Sequence, residues 1–515
     1  MHNPKSFLIC CLMAIVREPV GAQDGALDPS FGEGGIVVTD FGETVDRALG
    51  TAIQPDGRII AVGMSGPSET EFSIAVARYL SDGSLDPDFG SEGKVISNLT
   101  ANGDLARRVV IQPDGKFVVA GCAEHYSGPR FVVVRYMPDG TMDPEFNGTG
   151  WRITSFTGPS QVNGLALLPD GRILAIGSCA SMPVNSFAAA RYTTDGEPDP
   201  SFGIEGKVLT LVGTGTSVAT GLALLPDGRF LICGYAMVTG EYQAVLVRYL
   251  PDGDLDDSFG TGGMVMTSLT DFHDVSMAVR PLSDERFLVV SGAGLNRSVS
   301  CFLENGTLDP GFGTGGVVLT DLGCAAGYLD IATQADGRIL ICSHTVVADI
   351  GRAAIARYMP DGTLDPSFGL NGLVTTGYAL GNYANALAIQ EEGMVVAVGE
   401  VNAGLPANID FWLARYQTGL ALGEGSPNGS FPELSVRPSP VEREAWIDLM
   451  LHGPCDLGVD VRDMAGRIVV SDVGRMLLNA GSYSIPVDMS GLVPGSYVIT
   501  LRVSERAWNK RVMKL

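Results

Sequence analysis

Five histidines supply all the imidazole in this 515-residue chain, and two of them, His2 and His452, lie outside its main body. The other three, His125, His273 and His344, fall in separate loops, so acid–base or metal chemistry would require those loops to converge. The sequence holds no His-Glu-x-x-His, Gly-x-Ser-x-Gly, phosphate-loop or Cys/His zinc pattern. Its richest oxygen pattern is Asp-Gly-x-x-Asp, found at Asp82, Asp139 and Asp361 and densest in Asp252-Gly253-Asp254-Leu255-Asp256-Asp257. Oxygens from Asp252, Asp254 and Asp256 have the spacing that opens a calcium loop, but the glycine and distal glutamate of such a loop are missing. Calcium as a structural ion is the one cofactor these residues suggest. The same residues also read as a turn, with the first Asp setting it and the second acting as a cap before Pro.

Other reactive residues read as structural. An Arg-Tyr pair recurs beside the acidic turns, where a guanidinium at a strand end can hold the edge of its sheet by paired hydrogen bonds. Of nine cysteines, Cys10 and Cys11 lie near the N-terminus and the other seven form no Cys-x-x-Cys pair. Cys233 and Cys342 occupy the same place two repeats apart and cannot meet, so buried single thiols are expected rather than a disulfide framework.

The elements that must position these residues recur with a period. Leu27-Asp28-Pro29-Ser30-Phe31-Gly32 returns in kind at Leu85, Met142, Pro198, Leu255, Leu308 and Leu364, at intervals of 58, 57, 56, 57, 53 and 56 residues. Such a period marks units that stack or are arranged radially. In the second unit, residues 106–112, the turn Pro113-Asp114-Gly115 and residues 116–121 predict a hairpin. Residues 130–136 and 151–154 predict third and fourth strands, and no stretch of the unit has helical periodicity.

The repeats begin with a lone fourth strand, 36–39, and end with three strands, 384–390, 394–399 and 411–416. If the first completes the last, seven four-stranded units close without an open edge. The expected fold is all-β: a seven-bladed β-propeller over residues 23–416, with a β-solenoid as the other arrangement. A Gly/Ser/Pro linker at 417–432 and a small β-sandwich over 433–515 follow. Two units depart from the pattern. The fifth reads Leu282-Ser283-Asp284-Glu285-Arg286 and has Cys301-Phe302 for Arg-Tyr, and the seventh reads Gln390-Glu391-Glu392-Gly393-Met394.

Gln112-Pro113-Asp114-Gly115-Lys116, Val134-Arg135-Tyr136 and the Leu-Asp-Pro-x-Phe-Gly segments resemble the delta-60 repeat family over roughly residues 27–416. The resemblance implies a propeller-like fold in exported bacterial proteins. It implies no particular activity.

Both ends of the chain read as addresses. Lys5, the apolar run 7–16 and Val20-Gly21-Ala22 make residues 1–22 an expected signal peptide, and no later segment is long and apolar enough to be a membrane helix. The tail carries Pro438-Ser439-Pro440, Asp463-Met464-Ala465-Gly466-Arg467, Gly491-Leu492-Val493-Pro494-Gly495-Ser496-Tyr497 and a basic finish from Lys510 to Lys514. These segments resemble the type A C-terminal sorting domain of the type IX secretion system of Bacteroidota. That resemblance implies Sec export, passage through the type IX machinery, and a secreted or outer-membrane-surface location.

The net charge of −24 lies in the repeats, since residues 433–515 balance ten basic against ten acidic side chains. An acidic body repels phosphate backbones, so nucleic acid is not an expected partner. By topology the Pro-Asp-Gly turns and the Leu-Asp-Pro connections share one nearly invariant face, and the loops that differ lie on the other. The variable loops carry His125, Tyr126, Tyr242, Phe272, His273, Tyr328, His344 and Tyr383, the expected binding residues. The sequence therefore predicts a non-enzymatic scaffold that takes an extracellular glycan or protein. The alternatives are a hydrolase or lyase working in the central channel and a purely structural surface component.

Overall fold

The computed structural model describes residues 24–418 and 435–514, apart from 102, 125–127, 181–183, 239, 270–272, 295, 323–328, 348–349, 391–392, 405–407, 438–440, 442, 452–454, 464–467, 479–480 and 504–505. All regular elements among the described residues are β-strands.

The second unit shows why they form and how they stack. Asp104–Ile111, Phe117–Ala123, Arg130–Tyr136 and Trp151–Thr154 pair antiparallel in chain order. The two middle strands are β-branched runs buried on both faces, and such strands need a sheet on either side. Ile60, Val62, Ile74 and Val76 of the preceding unit cover Phe117, Val119, Val132 and Val134. Val118, Ala120 and Val133 pack instead on Ile173, Ala175 and Ala188 of the following unit. The pattern runs on until Val396, Val398, Phe411 and Leu413 of the last repeat meet Ala48, Ile59, Ala61 and Ala75 of the first.

The expected closing strand is present. Ile36–Thr39 pairs antiparallel with Asn408–Tyr416, Ile36 opposite Ala414 and Thr39 opposite Phe411. A single parallel pair, Val45 with Ile409, also ties the last repeat to Val45–Ile53, so these strands count as one eight-stranded sheet. The other sheets of the repeats have four strands each.

One feature of the inner strands did not follow from hydrophobic alternation. Register shifts interrupt Val45–Ile53, Asp104–Ile111, Ser160–Leu167, Ser217–Leu224, Asp274–Pro281 and Asn382–Ile389 at equivalent places. The extra residues are Leu49, Arg107, Asn163, Thr220, Met277 and Asn385, and a bulge of this kind re-aims the side chain it carries.

The C-terminal segment forms two antiparallel sheets. One runs Ser435–Arg437, Glu444–Leu451, Gly481–Asp488, the other Ile468–Leu478, Cys455–Asp463, Gly495–Val503, Arg506–Lys514. Ala445, Ile447, Ile485 and Val487 of the first share a buried cluster with Val459, Val461, Ile499 and Val512 of the second, and Leu492 packs against it. Several residues that carry the C-terminal resemblance stand in these sheets or the turn between them. Gly491 lies in the turn that leads to Gly495, Tyr497 is buried with its hydroxyl donating to the Val493 carbonyl at 2.8 Å, and Asp463 pairs with Tyr497 in the ladder. Lys510 stands opposite Ile499, and the largely buried Lys514 opposite Gly495. Pro438, Pro440 and Gly466 lie outside the described residues.

Candidate functional site

The repeated charged residues hold neighbouring units together. Arg135 Nε donates to Asp143 at 2.7 Å, Nη1 donates to the Thr194 carbonyl of the next unit, and the guanidinium lies 4.9 Å above the Phe146 ring. Arg78, Arg191, Arg248 and Arg357 reach forward in the same way, and Arg415 of the last repeat reaches Asp28 and the Ser81 carbonyl of the first. The tyrosine reaches back. Tyr136 donates to Ser97 on the outer strand of the preceding unit at 2.8 Å, and Tyr79, Tyr192, Tyr249, Tyr358 and Tyr416 pair with Thr39, Thr154, Thr210, Thr320 and Thr376.

This use of the repeat decides the expected calcium residues. Asp256 turns inward and accepts from Arg248 at 2.7 Å, Arg229 at 3.2 Å and the Ser258 hydroxyl at 2.6 Å. Asp252 accepts the Asp254 N–H of its own turn at 3.1 Å. Asp252, Asp254 and Asp256 accordingly do not form a three-oxygen cluster. The turn-and-cap reading describes what they do.

A pH dependence follows. Burial works to raise the pKa of Asp28, Asp143, Asp199, Asp256 and Asp365, but hydrogen bonds and the adjacent Arg or Lys charges outweigh it and hold all five low. An unfolded Asp titrates near about 3.9, so their stabilisation is present above that pH and is lost as the pH falls towards the folded values. The melting temperature is expected to drop steeply below about pH 4. A flat profile from neutral pH down to about 3 would show that these pairs contribute nothing.

The fifth unit lacks both contacts. Cys301 offers Asp309 only a thiol at 4.0 Å, so Arg286 at 2.7 Å is its one cationic partner, and Phe302 carries no hydroxyl for Thr267 of the unit before it. Phe302→Tyr is expected to raise stability by about 1 kcal/mol, read as a higher urea midpoint with unchanged slope.

Of the residues expected on the variable loops, Tyr242, His273, His344 and Tyr383 are described, and His125, Tyr126, Phe272 and Tyr328 lie outside the described residues. The four form two pairs across unit boundaries. Tyr242 donates its backbone N–H to His273 Nδ1 at 3.0 Å with ring centroids 5.5 Å apart, and Tyr235 meets Tyr242 edge-on at 5.1 Å. His344 and Tyr383 meet edge-on at 5.2 Å. Burial, with help from the charge on Arg297, lowers the pKa of His344. The Tyr383 ring lies against Gly351, where a Cβ would come within 2.4 Å of its Cζ, so Tyr383 has a packing role as well.

A cavity of about 170 Å³ lies among the inner strands, lined by Leu49, Arg107, Arg108, Gln161, Asn163, Val218, Thr220, Tyr235, Met277 and Leu329. Five of these stand at the bulges, which explains why polar side chains from successive units face one space. Arg107 donates to Gln161 Oε1 at 3.4 Å, Asn163 to the Ala219 carbonyl at 2.7 Å and Thr220 to the Ser276 carbonyl at 2.7 Å. Beside Leu329 in the chain, burial raises the pKa of Asp330, while the charges of Arg108 and Arg280 pull against it. Tyr235 belongs both to the cavity wall and to the aromatic group with Tyr242 and His273.

Residues 54–89, 112–146, 168–202, 225–259 and 334–368 match a family described as a domain of unknown function (DUF5122) beta-propeller. The chain is a β-propeller repeat protein. The repeats outside the five matches are the fifth and the seventh, the two whose turn sequences depart from the pattern. Among solved structures similar to the propeller, a streptogramin B lyase is 10% identical with a TM-score of 0.44, over 74% of this chain and 97% of its own. Sqt1 from Chaetomium thermophilum, bound to the N-terminus of ribosomal protein L10, is 13% identical with a TM-score of 0.38, over 74% and 98%. A glycoside hydrolase is 10% identical with a TM-score of 0.29, over 92% and 95%. No curated protein matches the chain.

Sequence reasoning passed over the channel residues of the propeller. Arg107, Asn163 and Thr220 interrupt otherwise alternating strands with a polar side chain, always three residues after a buried Asp or Ser (Asp104, Ser160, Ser217). That repeated offset was the available signal. Cys122, Cys179, Cys233, Cys301 and Cys342 are buried unpaired thiols, as expected.

Proposed function

We propose that the protein is an exported binding scaffold, a closed seven-bladed propeller that takes an extracellular glycan or surface protein at the variable end of its channel. In this reading residues 1–22 direct Sec export. The C-terminal segment is a β-sandwich sorting domain that type IX machinery recognises, leaving the propeller secreted or on the outer surface.

The observation that carries the binding reading is the double membership of Tyr235. The framework tyrosines are buried and hydrogen-bonded to a Thr or Ser of the neighbouring unit. Tyr235 and Tyr242 are half-buried and lead from the cavity with Arg107 and Gln161 out to His273 at the surface. Aromatic faces beside an Arg and an amide, set on rigid strands, suit recognition of sugar rings or protein side chains. Catalysis in the channel would call for paired carboxylates with a histidine at its variable end. The polar side chains described in the cavity wall are those of Arg107, Arg108, Gln161, Asn163, Thr220 and Tyr235.

Capture of glycans and extracellular proteins by the full chain tests this. Tyr242→Ala and Arg107→Ala are each expected to weaken capture roughly 30-fold, about 2 kcal/mol, with the melting temperature unchanged. Undiminished capture by both variants would overturn the reading.

A further inference from the structure

The two ends of the ring meet at an unusual concentration of charge. Asp40 follows the closing strand Ile36–Thr39, Asp46 opens the first inner strand, and Asp410 lies in the strand Asn408–Tyr416 that the closing strand joins. One carboxylate oxygen from each lies within 4.8 Å of the others. Asp46 is fully buried and Asp410 nearly so, whereas Asp40 is exposed. Among the described residues, none of the three is in an ion pair with a Lys or Arg side chain. The nearby Lys94 donates to the Asp40 backbone carbonyl, and Arg47 is taken by Glu69 and Glu400.

The other junctions show that this is particular to the seam. At the next one, Asp104 is equivalent to Asp46, and the Leu99 N–H, the Thr100 N–H and the Thr100 hydroxyl satisfy both its oxygens at 2.7–2.9 Å. Asp46 receives only the Phe41 N–H, on Oδ2 at 2.7 Å, and its Oδ1 is buried without a hydrogen bond. The Ser65 hydroxyl opposite it in the ladder is near enough to favour its charge but makes no aligned bond. The places equivalent to Asp410 hold Ser73, Arg130, Ser186, Gln243, Asn296 and Arg352, and those equivalent to Asp40 hold Asn98, Ser155, Leu211, Ser268, Asp321 and Gly377. Where Arg130 stands, its guanidinium reaches Ser155, so a cationic side chain spans the same place that three acids share at the seam.

We propose that Asp40, Asp46 and Asp410 bind a calcium ion that clamps the first unit of the ring to the last. A buried carboxylate beside two others is costly without a counter-charge, and a hard cation supplies one. Oxygens bound at roughly 2.3–2.6 Å from calcium lie no more than about 5 Å apart, which the spacing here meets. Water reaches the ion from the side of the exposed Asp40 and completes its coordination. The clamp joins strands that are distant in sequence and does not depend on the proposed ligand site.

The full chain, stripped with a chelator and titrated with calcium chloride at neutral pH, tests the assignment by calorimetry and by melting temperature. Calcium is expected to bind the wild type and raise its melting temperature. Asp40→Asn, at an exposed position that leaves folding intact, is expected to weaken that binding roughly tenfold or more, and Asp410→Asn to abolish it. Asp252→Asn combined with Asp254→Asn is expected to leave calcium binding unchanged. Wild-type protein that binds no calcium after chelation, or binding lost in the Asp252/Asp254 variant but kept in Asp40→Asn, would overturn the proposal.

Discussion

Asp199→Ala is expected to destabilise the propeller by about 3–5 kcal/mol, because the change removes one side of a buried ionic contact and leaves the other. Asp199 Oδ2 accepts from Arg191 at 2.7 Å and from Arg172 at 2.8 Å, and its Oδ1 accepts the Ser201 N–H and hydroxyl. Without it, Arg191, only 3% exposed, keeps the Ser201 hydroxyl and a backbone carbonyl but no carboxylate in contact. Arg191 also reaches the Pro251 carbonyl of the next unit, so the damage crosses a unit boundary. Asp199→Asn keeps an acceptor and is expected to lose less. Urea denaturation of both variants reads the difference, and equal losses would mean that the charge itself is unimportant at this position.

Phe89→Ala is expected to cost a similar amount, about 3–5 kcal/mol, for a different reason. Phe89 is fully buried between units: Arg78 of its own unit lies 4.6 Å above the ring, and Phe117 of the next is 6.0 Å away. The turn of the next unit closes over it at Gly140, whose φ of 90° already favours glycine. A Cβ on Gly140 would meet Phe89 Cε2 at 2.8 Å. That turn is fixed by the Gly140 N–H on the Met137 carbonyl and the Gly90 N–H on the Asp139 carbonyl, each at 2.9 Å, which oppose its collapse into the space a truncated ring leaves. Phe89→Leu retains most of the volume and is expected to be milder. A loss from Phe89→Ala below about 1 kcal/mol would mean that the ring is not a wedge between sheets.

Much of the fold was legible because the repeat states its parts many times. The strands Arg130–Tyr136 and Trp151–Thr154 stand where alternation and turn chemistry put them, and the closing strand pairs as the missing-strand count required. The Arg of the Arg-Tyr pair was readable as a strand-edge clamp. That each Arg reaches the following unit and each Tyr the preceding one was not readable, since a periodic sequence does not say which neighbour a side chain faces. The spacing of Asp252, Asp254 and Asp256 suited both an ion and a turn, and it could not show that Asp256 meets Arg248 across the turn. Tyr242 with His273, and His344 with Tyr383, were picked out singly, and only the packing of one unit on the next paired them. Asp46 and Asp410 are far apart in sequence, so no local pattern could join them. The bulge residues were missed because alternation is a rule about regular strands, and the channel is built where the strands are irregular.

The closing strand has a consequence in time. Ile36–Thr39 leaves the ribosome before any residue it will pair with, and its partner Asn408–Tyr416 is among the last of the repeats to be made. Intermediate units can stack on one another, but the circle stays open until the last repeat is in place. During that wait both terminal units carry unpaired edges that invite pairing with another chain. The final closure joins contacts of extreme sequence separation, the kind that form slowly. Closure of the ring therefore waits for the first and last strands of the repeats to meet.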